Sequence, residues 1–368
     1  MSVLMNTSKK LLLVPDLRGG GGVTNLYNVL RLEADCQIRY FAVNNPKPQS
    51  ITGTACRLVF NYAKFFWQLI AFNYQLVHVN PSLYPRSFYR DAVFIIISKL
   101  LKRKVLVTFH GWLEDYEEQI RKSTVKSFLF KVSYAKADKY IVLGEIFKRK
   151  LIEMGVPHTT DFFIETTVAD SKFLAELDLE KKLHSYTNNV IFLFLAEITK
   201  LKGVFIALDA YKEFSKRHPE RRSSLIVAGD GSELPSVKKY VSEEGVQHVI
   251  FTGHVSEHDK KEVLLQSHIL LHPSYTEGLP NTILEGMLFG MPIVSRLTGA
   301  IPDVVQQGIN GFLSESYNAS IFAEFMELLA LNPEVYKKIA LTNHKTALCK
   351  YTTEKVRNRM LKIYSAFK

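Results

Sequence analysis

The stretch Ile269-Leu-Leu-His-Pro-Ser-Tyr-Thr-Glu-Gly-Leu-Pro-Asn-Thr-Ile-Leu-Glu-Gly-Met-Leu-Phe-Gly-Met-Pro-Ile-Val-Ser295 reads as a strand, a polar loop, an apolar helix and a second strand. The runs 269–272 and 292–295 are short and nearly continuously apolar, the pattern of strands buried on both faces. Between them, Pro280 suits a first helical turn, Asn281 or Thr282 can cap it, and Gly290 followed by Pro292 stops it. Glu277 therefore falls before the helix and Glu285 within it, with seven residues between them. The amides of Gly278, Leu279, Asn281 and Thr282 crowd a helix N-terminus, where free N–H groups and the helix dipole favour phosphate. A carboxylate among them suits sugar hydroxyls. Taken alone, such a pair also reads as a capping glutamate and a surface one.

Outward from this stretch, the same alternation runs along the whole chain. Strands are expected at 11–14, 37–43, 76–79, 104–109 and 140–143, and again at 190–195, 224–228 and 249–252, most followed by helical patterns. The expected fold class is α/β, with two parallel sheets covered by helices on both faces, hence two doubly wound, Rossmann-like domains. Ligands of such sheets sit beyond the carboxyl ends of the strands, so the motif-bearing loops are expected to face an interdomain cleft. The join falls near 164–170, after Gly155-Val156-Pro157 and before the charged helical pattern 172–183.

At 368 residues the chain is long enough for about two domains, and its 47 % hydrophobic content can supply a core for each. Three widely spaced cysteines make neither a disulfide framework nor a metal cluster, which fits a cytoplasmic location. No signal peptide or transmembrane helix is expected: 1–10 is polar, 92–98 is too short, and 58–79 is interrupted by Lys64, Gln68, Asn73 and Gln75. A net charge of +11 favours acidic partners: nucleotide diphosphates, nucleic acid or anionic lipid. With no zinc-finger spacing, RNA-recognition signature or long arginine-rich run, nucleic acid is set aside, and contact with an anionic membrane surface uses the charge better.

Other segments carry chemistry. Gly19 to Gly22 follow the first strand and let backbone approach a ligand, without matching G-x-G-x-x-G or a Walker loop; Gly20, Gly21 and Gly22 are the candidates. His110 ends the strand 105–109, where a cleft would begin, although a lone histidine there is more often structural. His78 and Asn80 end another strand and are read as lining or supporting the same place. Lys200 and Lys202, before Gly203, make a basic loop able to neutralise a leaving diphosphate; the plain alternative is a solvated lysine pair. The turn 228–233 is read as structural. Aromatics and lysine share the helix around 62–72, which suits either core packing or membrane contact.

The segments Ile250-Phe-Thr-Gly-His-Val255, 274–292, Gly299-Ala-Ile-Pro-Asp-Val-Val305 and Gly308-Ile-Asn-Gly-Phe-Leu313 follow one another in an order that resembles the family 4 retaining glycosyltransferases of bacterial surface-polysaccharide type. The resemblance spans nearly the whole chain and is densest over 249–313. It implies the GT-B fold, with an acceptor-binding domain over 1–167, a nucleotide-sugar-binding domain over 168–352, and a last helix, 353–368, packing back on the first. It also implies roles: Glu277 on donor-sugar hydroxyls, Glu285 on the ribose, His110 at the donor sugar near the reacting carbon, Lys202 on the diphosphate, and the backbone at Val255 on the base. At the family's arginine position the chain has Glu197, and Lys200 is the residue that would replace the charge.

The expected reaction moves a hexose or N-acetylhexosamine, with retention, from a nucleotide diphosphate sugar to a glycan or lipid-linked glycan acceptor at the inner face of the cytoplasmic membrane. Negative charge on the departing diphosphate would be stabilised by Lys202, the glycine-loop amides and the helix start. No cofactor and no metal is expected, since no Asp-x-Asp occurs in the chain. The competing readings are a sugar-nucleotide 2-epimerase or a phosphorylase of the same fold, the latter lacking an identifiable pyridoxal lysine, and a non-catalytic binding protein supported by Glu197.

Overall fold

The computed structural model describes residues 9–15, 22–35, 37–43 and 51–367. The chain divides into two compact units, Met1–Thr166 with Val356–Lys368, and Thr167–Lys355. The N-terminal unit contains β1 (Lys10–Pro15), β2 (Ile38–Val43), β3 (Leu76–Val79), β4 (Ser82–Leu83), β5 (Lys104–Thr108), β6 (Gly111–Trp112), β7 (Lys139–Val142) and β8 (Asp161–Ile164). The C-terminal unit contains β9 (Val190–Leu195), β10 (Ser223–Ala228), β11 (Val249–Gly253), β12 (Ile269–His272), β13 (Ile293–Arg296) and β14 (Gly311–Ser314).

Both main sheets are wholly parallel, ordered β2-β1-β3-β5-β7-β8 and β11-β10-β9-β12-β13-β14, while β4 and β6 form a small separate pair. The second order is that of the dinucleotide-binding Rossmann sheet, with its switch point between β9 and β12; the first reverses between β1 and β3. The strands nearest these reversals, β3 and β12, are buried at every residue. In the C-terminal unit Phe192, Phe194, Leu225, Val227 and Leu271 pack with Leu208, Tyr211 and Phe214 of the helix Val204–Arg217 and with Phe322 and Met326 of the helix Ala319–Ala330. Each such side chain contributes roughly 1.5–3 kcal/mol of burial.

The helix Thr353–Ser365 passes from the second unit into the first at Val356. Tyr364 is buried with its hydroxyl 2.8 Å from His78 Nδ1, and Arg359 Nε donates to both oxygens of Glu165 at 3.0 and 2.7 Å. The closing helix is thus built into the first unit's interior.

Four strands go beyond expectation: the two-residue pair β4 and β6, and two edge strands. The first of these edges is β8, Asp161-Phe-Phe-Ile, which is half exposed and lacks a buried run. The second is β14, the edge strand Gly311-Phe-Leu-Ser, which begins within the motif 308–313 and alternates buried with half-buried residues. The helix after β12 runs Asn281–Leu288 with extended Pro280 at its cap position, so Asn281 and Thr282 occupy its first turn instead of capping it. Its far end behaves as read: Gly290 has φ +69° and β13 follows. Buried Lys182 anchors that end, donating to Phe289 O at 2.9 Å and to Leu264 O, in the last turn of the helix Glu257–Gln266, at 2.7 Å. Helix C-termini favour a cation there, although burial pushes the ammonium down to about 7.

Candidate active site

In the C-terminal unit, the loops leaving β9 and β12 meet at the switch point. The first turns through a 3-10 segment, Lys200–Lys202, and closes at Gly203, whose φ is +76°. A Cβ there would sit 2.0 Å from Pro273 O, so only glycine lets the two loops approach this closely. They are then joined: Tyr275 N donates to Leu201 O at 2.8 Å and Ser274 Oγ donates to the same oxygen at 3.0 Å. The 228–233 turn braces the first loop, with Ile198 N donating to Asp230 O and Glu233 N to Ile198 O. Buried Arg296 fixes the second, donating to Ser274 O, Glu315 O and Ser316 O while its guanidinium lies 3.8 Å from the Tyr317 ring centroid.

This bracing delivers Glu277. Its Oε1 accepts from Lys202 Nζ at 2.7 Å and pairs with His272 Nε2 at 2.9 Å, while the carboxylate is almost wholly buried. Burial alone would raise its pKa, but His272 and Lys202 overcome that and hold it down at about 2. Glu277 is therefore ionised throughout the physiological range. Both partners use Oε1, and Oε2 has none among the described residues. Behind it, Gly299 has φ +55° and a Cβ there would meet Glu277 O at 2.2 Å; Ala300 N donates to Gly278 O at 2.8 Å. Leu279 is buried, its carbonyl accepting from Thr167 Oγ1 at 3.2 Å. Gly278 and Leu279 thus lead directly into the first-turn amides of Asn281 and Thr282.

Glu285 lies in the second turn of this helix, 1 % exposed. Its Oε1 accepts from Lys260 Nζ at 2.6 Å, and its Oε2 is buried without a partner. Lys260 comes from the helix Glu257–Gln266, whose N-cap Ser256 forms a capping box with Asp259. Val255, half-buried, directly precedes that cap. Lys200 and Glu197 are both exposed on the loop after β9.

His110 belongs to the N-terminal unit, just past β5. Its Nε2 lies 2.9 Å from Asn80 Oδ1, which also accepts from Tyr27 Oη at 2.5 Å; Asn80 Nδ2 in turn donates to Leu13 O. Asn80 Oδ1 only accepts, so Nε2 carries the imidazole proton and Nδ1 is an acceptor. Burial depresses the His110 pKa to about 4 and raises that of Tyr27, so both are neutral at pH 7. His78 is sealed between Tyr364 and Thr108 Oγ1 and pushed down to about 3 by burial and the neighbouring His110, which makes it a support of the core. Gly22 opens the helix Gly22–Leu30, and a Cβ there would meet nothing within 4 Å; Gly20 and Gly21 lie outside the described residues.

The structure brings Lys202, Glu277, Gly278, Leu279, Asn281 and Thr282 onto the two loops and the helix start at one switch point. Glu285 lies deeper in that helix, and His110 with Gly22 lies in the other unit. His272, Lys260, Tyr27 and Arg296 escaped the sequence reading. The only signal for His272 was its place at the end of an apolar strand. No group of three His, Cys, Asp or Glu suited to a metal occurs among the described residues, and no described helix is long and apolar enough to cross a membrane.

Comparison with known proteins bears on this arrangement. The stretch 176–345 matches the family described as glycosyl transferases group 1. An uncharacterized glycosyltransferase of Methanocaldococcus jannaschii is 23 % identical over 270 residues, spanning 73 % of this chain and 71 % of the relative. Anabaena HepE, solved in complex with UDP-glucose, superposes with a TM-score of 0.75 at 16 % identity over 97 % of this chain and 99 % of its own. The lipopolysaccharide outer core galactosyltransferase WaaB in its apo form gives 0.69 at 17 % identity, over 98 % and 99 %. With the family match over 176–345 and these relatives, the chain is a glycosyltransferase, and its fold is GT-B.

Proposed function

We propose that the protein transfers a hexosyl or N-acetylhexosaminyl group, with retention of configuration, from a nucleoside diphosphate sugar to a glycan or lipid-linked glycan acceptor in surface-polysaccharide synthesis at the inner face of the cytoplasmic membrane. The observation that carries this reading is the ionised Glu277, held through Oε1 by Lys202 and His272 with Oε2 unpartnered, beside a helix start. Oε2 accepts hydrogen bonds from donor-sugar hydroxyls. Lys202 keeps donors beyond the one given to Glu277, and with Lys200 and the first-turn amides it meets the charge that builds on the departing diphosphate. The buried, unpartnered Glu285 Oε2 accepts from a ribose hydroxyl, and the backbone at Val255 faces the base. His110, neutral and fixed by Asn80, contacts the sugar near the reacting carbon, and the glycine loop at 20–22 contributes amides. The leaving phosphate takes the acceptor proton in a front-face displacement, and no metal takes part.

UDP-glucose stands first among donors because HepE was solved with it. The test incubates the protein with UDP-, GDP-, ADP- and TDP-sugars and a membrane-extracted glycan acceptor in EDTA, measuring diphosphate release and the anomeric signal of the product. One nucleotide series giving transfer with retention supports the reading; inversion or a strict metal requirement overturns the mechanism. Glu197, exposed on the loop that carries both lysines, favours a second reading in which donor binds without turnover, and binding by calorimetry with no product would establish it.

A further inference from the structure

The helix Ile51–Ala71 has two apolar faces, and the fold uses one. Asn61, Phe65 and Leu69 point inward and are buried. On the other side Val59, Phe60, Phe66, Trp67 and Ile70 are 66, 67, 45, 67 and 50 % exposed, with Phe72 just beyond the helix at 50 %. At 3.6 residues per turn these five helical positions fall within an arc of about 120°, too wide and too aromatic for scattered surface residues. The helix contains no acidic residue, and Lys64 and Arg57 lie along one margin of the arc.

Charge identifies what covers this face. Residues 51–110 contain eight Lys and Arg against one acidic residue, Asp91, so +7 of the chain's +11 is concentrated there. Asp91 is itself paired with Arg90 at 2.7 Å, and Lys99 and Lys104 pair with Asp138 at 2.8 and 3.5 Å, so the cations nearest the exposed face are Arg57 and Lys64 on the helix and Arg103, which donates to Leu69 O and Asn73 Oδ1 at its end. At the end of the helix, Lys9 and Arg39 line a shallow recess of about 360 Å³ with Gln68, Phe72 and Tyr74. A second copy meeting this face about a two-fold axis would set like charges together. An anionic bilayer answers both features, taking the aromatics at the headgroup boundary and the cations among its phosphates. The helix is not apolar enough to span, so it lies in the plane of the surface.

We propose that the outward face of Ile51–Ala71 docks the enzyme on an anionic phospholipid surface. This deepens the lipid-linked acceptor reading in purpose only, because vesicle binding is measured without donor or acceptor and either idea can fail alone.

The chain has two tryptophans, and Trp112 is buried, so a change in emission on vesicle binding reports Trp67. The full chain is titrated with phosphatidylcholine vesicles, with and without 30 mol % phosphatidylglycerol, some containing brominated acyl chains. Expected are a blue shift and bromine quenching, with binding about tenfold weaker in the zwitterionic vesicles. The double variant Phe60→Ser/Ile70→Ser keeps the reporter and should bind at least about tenfold more weakly while its circular dichroism is unchanged. Binding without quenching, equal binding by the variant, or concentration-dependent dimerisation with no vesicle binding would each overturn the proposal; the last would make the face a protein interface.

Discussion

The two units answer the same architectural question with opposite electrostatics. At the C-terminal switch point the polar residues are ion pairs, Lys202 with Glu277 and Lys260 with Glu285. At the N-terminal one they are neutral, a Tyr27–Asn80–His110 chain in which burial suppresses every charge. The difference teaches that parallel sheets supply a location, and the side chains on the emerging loops decide what kind of ligand suits it. A charged, pre-paired end suits a ligand that gains negative charge, and a neutral end suits an uncharged polar one.

The largest effect should come from breaking the charged end. Glu277→Gln keeps the shape but removes the charge that holds Lys202 and His272 together, and transfer measured as kcat/KM should fall roughly 10²- to 10³-fold. A loss below about threefold would show that the ion pair only shapes the loop.

A smaller effect sharpens the neutral end. The folded pKa values of His78 and His110 lie below the usual 6.5, so their contribution to stability is complete above that pH and is lost as pH falls toward about 4 for His110 and 3 for His78. Glu277, depressed to about 2, stabilises above the ordinary glutamate value and loses that contribution only on further acidification. His268, pushed down to about 3 by burial and Lys182, weakens the C-terminal unit over the histidine range as well. Each histidine contributes a slope of up to about 1.4 kcal/mol per pH unit. In urea titrations between pH 6.5 and 4.5, His110→Asn should flatten the fall in stability by about one proton's worth, and an unchanged slope would place the titration elsewhere.

The smallest effect concerns an exposed position. Glu197→Arg puts a cation on the donor loop in place of an anion, and calorimetry at low salt should show about three- to tenfold tighter nucleoside diphosphate binding that fades as salt is raised. No change would mean that the amides and lysines already saturate the diphosphate.

Much of the fold was legible because buried parallel strands announce themselves: β3, β9 and β12 lie where their apolar runs place them. The edge strands β8 and β14 did not, since β8 has no buried residue and β14 only alternates buried with half-buried ones, so neither offers a continuous buried run, although the edges β2 and β11 were legible. At the site, the glutamates and the lysine before glycine stood out through the resemblance of their segments to the family, while type and spacing alone left a capping glutamate and a solvated lysine pair open. Their partners could not. Lys260 sits in the run Glu257-His-Asp-Lys-Lys-Glu262, which reads as a solvated face, and His272 ends a core strand; only tertiary packing turns either toward a glutamate.

The helix Thr353–Ser365 has a consequence for how the protein is born. On the ribosome, the segment 167–355 is continuous and can assemble as soon as it has emerged. The first unit, although synthesised earlier, lacks Arg359 for Glu165 and Tyr364 for His78 until the helix Thr353–Ser365 has been made. The usual order of co-translational assembly, N-terminal part first, is therefore reversed here, and the nascent first unit waits with an open interior for a helix made after the second unit.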